Sequence, residues 1–211
     1  MVDRWGCSVA GHYGSVAGEL AVCVKRVGIA NRSDLERTEL RGREAWLDHA
    51  LAKAVGDRAP STGQAARVAG TWCCRTSPER ALVIGSHPSV SRWRRFAREA
   101  VIAGTAIRCA DLASEVAAVS LVGPRSPDVL RNAGLPHGLG VGAVCPGVLG
   151  DTTATVLRED VDRFLLLLEA GPSDAAWDAL FEAGRPSGLS YVGCEALERL
   201  AAVPRPFALA G

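Results

Sequence analysis

Arg75-Thr76-Ser77-Pro78-Glu79-Arg80-Ala81-Leu82-Val83-Ile84-Gly85 is answered 83 residues later by Arg158-Glu159-Asp160-Val161-Asp162-Arg163-Phe164-Leu165-Leu166-Leu167-Leu168. Each copy holds an Arg, a polar turn, an acid close to a second Arg, and an apolar run. Four or more consecutive apolar residues read as a strand buried on both faces. A helix with a central Trp follows each run, at Trp93 and at Trp177, 84 residues apart. Working outward, Leu40 and Gly42 match Leu121 and Gly123 at an offset of 81, and Leu47 matches Leu130 at 83. A two-residue insertion in the turn holding Pro124 and Pro127 accounts for the change. A steady offset across four elements marks two related halves, about 15–104 and 105–202, within one domain spanning 1–211.

Each half reads strand, helix, strand hairpin, helix. That order suits a split β-α-β unit with helices on one face of an antiparallel sheet. The predicted class is α+β: two pseudo-symmetric ferredoxin-like halves side by side, with no C-terminal barrel. Met1 to Tyr13 reads as irregular. Ser15 caps a helix to about Arg26 whose inward face is Val16, Leu20, Val24 and Val27, and Gly28 ends it. Short strands flank a turn at Asn31-Arg32-Ser33-Asp34, and a helix runs over 44–55 with Leu47, Ala50, Leu51 and Ala54 inward. Residues 65–74 read as one strand. Ser86 or Ser89 caps a helix to about Ala103, with Val90, Trp93, Ala97 and Val101 inward and Arg92, Arg94, Arg95 and Arg98 outward. Residues 134–150 form a Gly-rich loop. Ser173 caps a helix to about Ala183, and Pro204 and Pro206 end the last one.

Composition removes several classes of function. A net charge of +1 argues against a polyanion binder, and no aromatic-basic interleaving suggests nucleic acid. No apolar run reaches the roughly 18 residues that span a bilayer, and no signal-peptide pattern opens the chain, which points to the cytoplasm. The seven cysteines include no C-x-x-C, so metal-ligand spacing is missing and they read as small buried hydrophobes. Gly138-Leu139-Gly140-Val141-Gly142 does not lead from strand to helix, so it is no dinucleotide fingerprint.

The ordered motifs resemble the folate-binding domain of the glycine-cleavage T-protein (aminomethyltransferase) family and its short relative, the sarcosine oxidase gamma subunit. Gly18-Glu19-Leu20-Ala21-Val22 leading to Gly28-Ile29-Ala30-Asn31-Arg32-Ser33 is similar to the family's opening helix and turn. Glu39-Leu40-Arg41-Gly42, Asp111-Leu112-Ala113-Ser114, Leu121-Val122-Gly123-Pro124 and Gly188 through Leu200 continue the match. There are departures. The family's catalytic Asp belongs before the first hairpin, where this chain reads Arg67-Val68-Ala69-Gly70-Thr71-Trp72-Cys73-Cys74-Arg75, without a carboxylate. The segment that should carry the pterin-gripping Glu is the shortened Glu159-Asp160-Val161-Asp162-Arg163-Phe164-Leu165.

The resemblance implies tetrahydrofolate as ligand, and transfer of a one-carbon unit to it from a methylamine or aminomethyl donor. Its other branch implies a non-catalytic, gamma-type subunit beside a flavoprotein partner. An enzyme reusing the pocket for another small molecule, or an adaptor without a ligand, stands as a further alternative. Trp72 is either a stacking platform or a core Trp. Arg75, Ser86, Tyr191, Glu195 and Tyr13 are the other ligand-binding candidates. Asp151 and His87 are the candidate catalytic groups, each with a plainer reading as a turn former and an exposed loop residue.

Overall fold

A computed structural model describes residues 1–4, 6–56, 59–102, 107–169 and 174–202. A hairpin of β1 (Val2–Arg4) and β2 (Cys7–Val9) opens the chain, where irregular structure was expected. Helix α1 (Val16–Lys25) is capped by Ser15, whose hydroxyl accepts from the Gly18 N–H. Next come β3 (Val27–Asn31), β4 (Glu36–Arg41) and α2 (Glu44–Val55). The first half continues with β5 (Ala65–Val68), β6 (Thr71–Ser77), β7 (Arg80–Gly85) and α3 (His87–Ile102). The second half supplies β8 (Arg108–Asp111), β9 (Ala117–Val122), α4 (Ser126–Asn132), β10 (Val144–Leu149), β11 (Thr152–Asp160), β12 (Arg163–Leu168) and α5 (Asp174–Gly184). A 3-10 turn, β13 (Leu189–Tyr191) and α6 (Cys194–Ala202) complete it. No helix among the described residues is long and apolar enough to cross a membrane.

One sheet runs β10-β11-β12-β9-β3-β13 and the other β5-β6-β7-β4-β8, antiparallel except for β3 beside β13. Each half lends one strand to the other's sheet: β3 pairs with β9, and β8 pairs with β4. The halves are thus interlaced rather than simply side by side. Alternation along the strands then separates the faces. Cys73, Ala81 and Val83 meet Leu47, Leu51 and Trp93 beneath α2 and α3. Phe164, Leu166 and Val156 meet Val129 and Leu180 beneath α4 and α5. The opposite faces pack on each other, Trp72, Cys74, Leu82 and Ile84 against Leu157, Leu165 and Leu167. Sandwiching a sheet between helices and a second sheet explains why both twin runs are apolar at every position.

Several local expectations are corrected. The inward face of α1 is Glu19 and Cys23, while Val24 is exposed, because Cys23 packs with Ala30, Val122 and Val192. Gly28 does not end α1. It lies inside β3, where an added Cβ would stand 2.7 Å from Val192. The predicted strand over 65–74 is a hairpin, turned at Ala69-Gly70, both with positive φ. The Gly-rich loop contains β10, an edge strand that tolerates Pro146. The caps expected of Ser173, Pro204 and Pro206, the end at Ala103, and the side chains of Ala97, Arg98 and Val101 lie outside the described residues.

None of the seven cysteines is in a disulfide; Cys23, Cys73, Cys74 and Cys194 are buried, whereas Cys109 is exposed. Burial pushes the Cys23 thiol up to about 11 and that of Cys73 to about 12, and lifts Cys74 well above its ordinary value. Unfolding exposes these thiols to ionisation at lower pH than the native state allows. Stability is therefore expected to be insensitive to them below about pH 9 and to fall above it, by up to about 1.4 kcal/mol per pH unit for each thiol. Urea denaturation at pH 8, 9 and 10 checks this, and Cys73→Val should flatten the slope. A pH-independent midpoint across that range would contradict it.

Candidate functional site

The ends of strands from both halves and one face of α6 converge on a cleft of about 280 Å³. Trp72 forms its floor and is 9% exposed. Its register partner on β5 is Arg67, whose guanidinium lies over the indole ring, 5.7 Å from the centroid. On the other side the Trp72 Nε1–H donates to Glu159 Oε1 at 2.8 Å. The indole is therefore held at its edge by a carboxylate from the second half, and its ring carries a cation from the first.

The turn between β3 and β4 supplies a second wall. Asn31 Oδ1 accepts from both the N–H and the hydroxyl of Ser33, which fixes the turn read from the sequence. Arg32 and Asp34 then meet in a two-pronged pair, Nε to Oδ1 at 2.9 Å and Nη2 to Oδ2 at 3.1 Å. Burial works against the Arg32 cation, but its bonds to Asp34, with Glu159 nearby, outweigh that and hold it above its ordinary value. Ser86, Asp160, Arg163, Cys194 and Glu198 also line it. Such a cleft offers an aromatic face, guanidinium donors and carboxylate acceptors, which suits a flat heterocycle carrying both donors and acceptors on its edge.

The sequence-derived candidates divide. Trp72 and Ser86 line this cleft. Arg75 does not: it is 2% exposed, Nε donates to Ser77 O at 2.8 Å, and Nη2 bonds Pro78 O and Asp48. Tyr13 and Tyr191 stack on each other, with Trp177 and Phe181 beside Tyr191, on a separate patch. Buried Glu19 sets that arrangement, accepting from the Tyr13 N–H and the Gly193 N–H. Glu195 sits in the first turn of α6 with its N–H on Gly11 O and its carboxylate against Gly11. Asp151 is an exposed residue of the β10–β11 turn, and His87 is exposed and paired with Glu36.

The cleft carboxylates Asp34, Glu159, Asp160 and Glu198 were not among the candidates, nor were Arg32, Arg67 and Arg163. Residues 67–75 hold no carboxylate, as read from the linear match, but Glu159 crosses from the other half to meet Trp72. A usable signal existed in β11. Glu159 lies two residues beyond Leu157 and so shares the face that packs against the other sheet.

Together the interlaced antiparallel sheets and this end-on cleft define an α+β domain with six α-helices and no closed barrel among the described residues. The chain is similar to the glycine cleavage system aminomethyltransferase T from Bartonella henselae, with TM-score 0.73 and 18% identity over 90% of this chain. It spans 55% of that protein. It is also similar to a chain of the heterotetrameric sarcosine oxidase from Corynebacterium sp. U-96, with TM-score 0.62 and 20% identity, over 84% of this chain and 94% of that one. No protein-family model and no curated protein matches the sequence. At these identities the likeness is one of fold.

Proposed function

We propose that the chain is a folate-binding-domain protein of one-carbon metabolism whose cleft takes the pterin ring of tetrahydrofolate. The observation that carries this reading is the Trp72–Glu159 pair at the floor of the cleft. A pterin presents a flat face and an edge of mixed donors and acceptors. Trp72 offers the face; Asp34 and Asp160 accept, and Arg32 and Arg163 donate at the walls. Arg67, exposed at the mouth, suits the acidic tail. The groups present thus fit the ligand. Bound tetrahydrofolate supplies the N5 nitrogen that accepts a one-carbon unit from a methylamine or aminomethyl donor. The chain's own part is to stack the ring, orient its edge and hold a carboxylate, Glu159, beside it.

Calorimetry with a reduced folate tests this. The wild type should bind, and Trp72→Phe should keep the fold, lose the N–H to Glu159 and bind more weakly. Trp72→Ala should lose about tenfold to a hundredfold, the scale of one stacking interaction. Absence of heat with the wild type sinks the proposal.

A second reading, a gamma-type non-catalytic subunit of a flavoprotein oxidase, is favoured by the 94% coverage of the short oxidase chain. It predicts a stable complex with a flavoprotein partner in gel filtration. A monomer indifferent to such a partner counts against it.

A further inference from the structure

The duplicated scaffold builds the same kind of recess twice, between a helix pair and the tip of a hairpin. In the second half it lies between α4, α5 and the Leu149-Gly150 tip, and its polar groups are Asn132 and Glu182. In the first half it lies between α2, α3 and the tip at Val68-Ala69, and has a volume of about 340 Å³. There the lining carries Lys53 and Arg92, two hydroxyls from Thr71 and Ser89, the ring of Trp93, and no carboxylate among the described residues. The recess itself follows from the fold, so its existence says little. The difference in lining does not follow from the fold, because the second copy shows that the architecture is satisfied without cations.

Two observations point to a ligand. First, Arg94 on the same helix is committed to Asp111, Glu36 and Thr38, whereas Arg92 turns toward the recess beside Lys53. The arginines of α3 are thus not one uniform solvated face. Second, Thr71 is 1% exposed and its Oγ1 has no hydrogen-bond partner among the described residues. A buried hydroxyl without a partner carries a desolvation cost that a bound acceptor would recover. Trp93 and Val68 supply apolar walls, and the volume suits a single ring.

We propose that this recess, on the face of its sheet opposite to the central cleft, binds a small aromatic oxyanion: one flat ring bearing a carboxylate or a phosphate. Arg92 and Lys53 neutralise the head group, Thr71 donates to it, and the ring packs on Trp93. The proposal does not rest on folate binding.

The chain has only two lysines, Lys25 and Lys53, which gives the test an internal reference. Both are exposed. Acetylation of the full chain, followed by peptide mass spectrometry, reads the two rates separately. Millimolar benzoate or phenyl phosphate is expected to slow modification of Lys53 at least threefold and leave Lys25 unchanged; whichever anion protects identifies the head group. Uncharged benzyl alcohol should give no protection. Arg92→Ala, an exposed position that leaves the core intact, should abolish protection, and Thr71→Val should weaken it. No protection by either anion, equal protection by benzyl alcohol, or protection that survives Arg92→Ala each overturns the proposal.

Discussion

Arg75→Ala is expected to destabilise the protein by roughly 3–5 kcal/mol, the scale for deleting one member of a buried charged network. The guanidinium is almost wholly buried on the helix side of β6 and bonds the carbonyls of Ser77 and Pro78 and the carboxylate of Asp48. At this point β6 and β7 slip register, between Arg75 and Ser77, so the turn's carbonyls lack ladder partners. Arg75 supplies the missing donors. Arg158 does the same 83 residues on: β11 slips between Arg158 and Asp160, Nε donates to Asp160 O at 3.3 Å and Nη2 to Val161 O at 2.7 Å. Arg158 is only half-buried, so Arg158→Ala should cost less, about 1–3 kcal/mol. Arg75→Met, which keeps volume but leaves the carbonyls unbonded, should recover only part of the loss. Denaturant titration of the three variants checks the order. A loss below about 1 kcal/mol for Arg75→Ala would show that the twin arginine does not hold the turn.

Gly123→Ala is the second large effect, roughly 3–5 kcal/mol, combining a forbidden backbone conformation with a steric collision. Gly123 has φ +134°, and an added Cβ would stand 2.3 Å from Arg26 O and 2.9 Å from Cys23 O. Both contacts are backbone atoms at the end of α1, so no side chain can swing aside. The residue is pinned from the other direction as well, because its N–H donates to Asp162 O at 2.8 Å and the Arg125 N–H donates to Arg26 O at 3.1 Å. This is the place where β9 leaves the sheet under the last turn of α1. Thermal unfolding should show a large fall in midpoint. Gly138→Ala, with open space around its Cβ position, should leave the midpoint nearly unchanged. Equal midpoints for the two variants would refute the close-approach argument.

The sequence made the repeat legible, and with it the elements. The span of α2, the Ser15 cap, and the apolar runs that became β7 and β12 follow from local periodicity and turn chemistry. Where local signals compete, the reading fails for identifiable reasons. Residues 65–74 look continuous because apolar alternation runs through Ala69-Gly70, although that pair forms the hairpin turn. The Gly-rich stretch hides β10, because glycine and proline lower strand propensity while an edge position tolerates them. Val24 looks buried on a helical wheel, yet the groups that reach the neighbouring elements are Glu19 and Cys23.

The candidate site was half visible. Trp72 and Ser86 stand out as residue types, whereas Glu159 and Arg67 become site residues only through pairing: Arg67 by register opposite Trp72, Glu159 by the packing of one sheet on the other. By itself the sequence determined two related halves, most of their strand and helix order, and the match of Arg75 with Arg158. These depend on contacts a few residues apart, or on repetition that can be counted. Only the tertiary structure decided that each half lends a strand to the other, that the sheets face each other, and that a carboxylate 87 residues away meets Trp72. Those relations rest on long-range pairing and packing between faces, which residue spacing along a single chain does not encode.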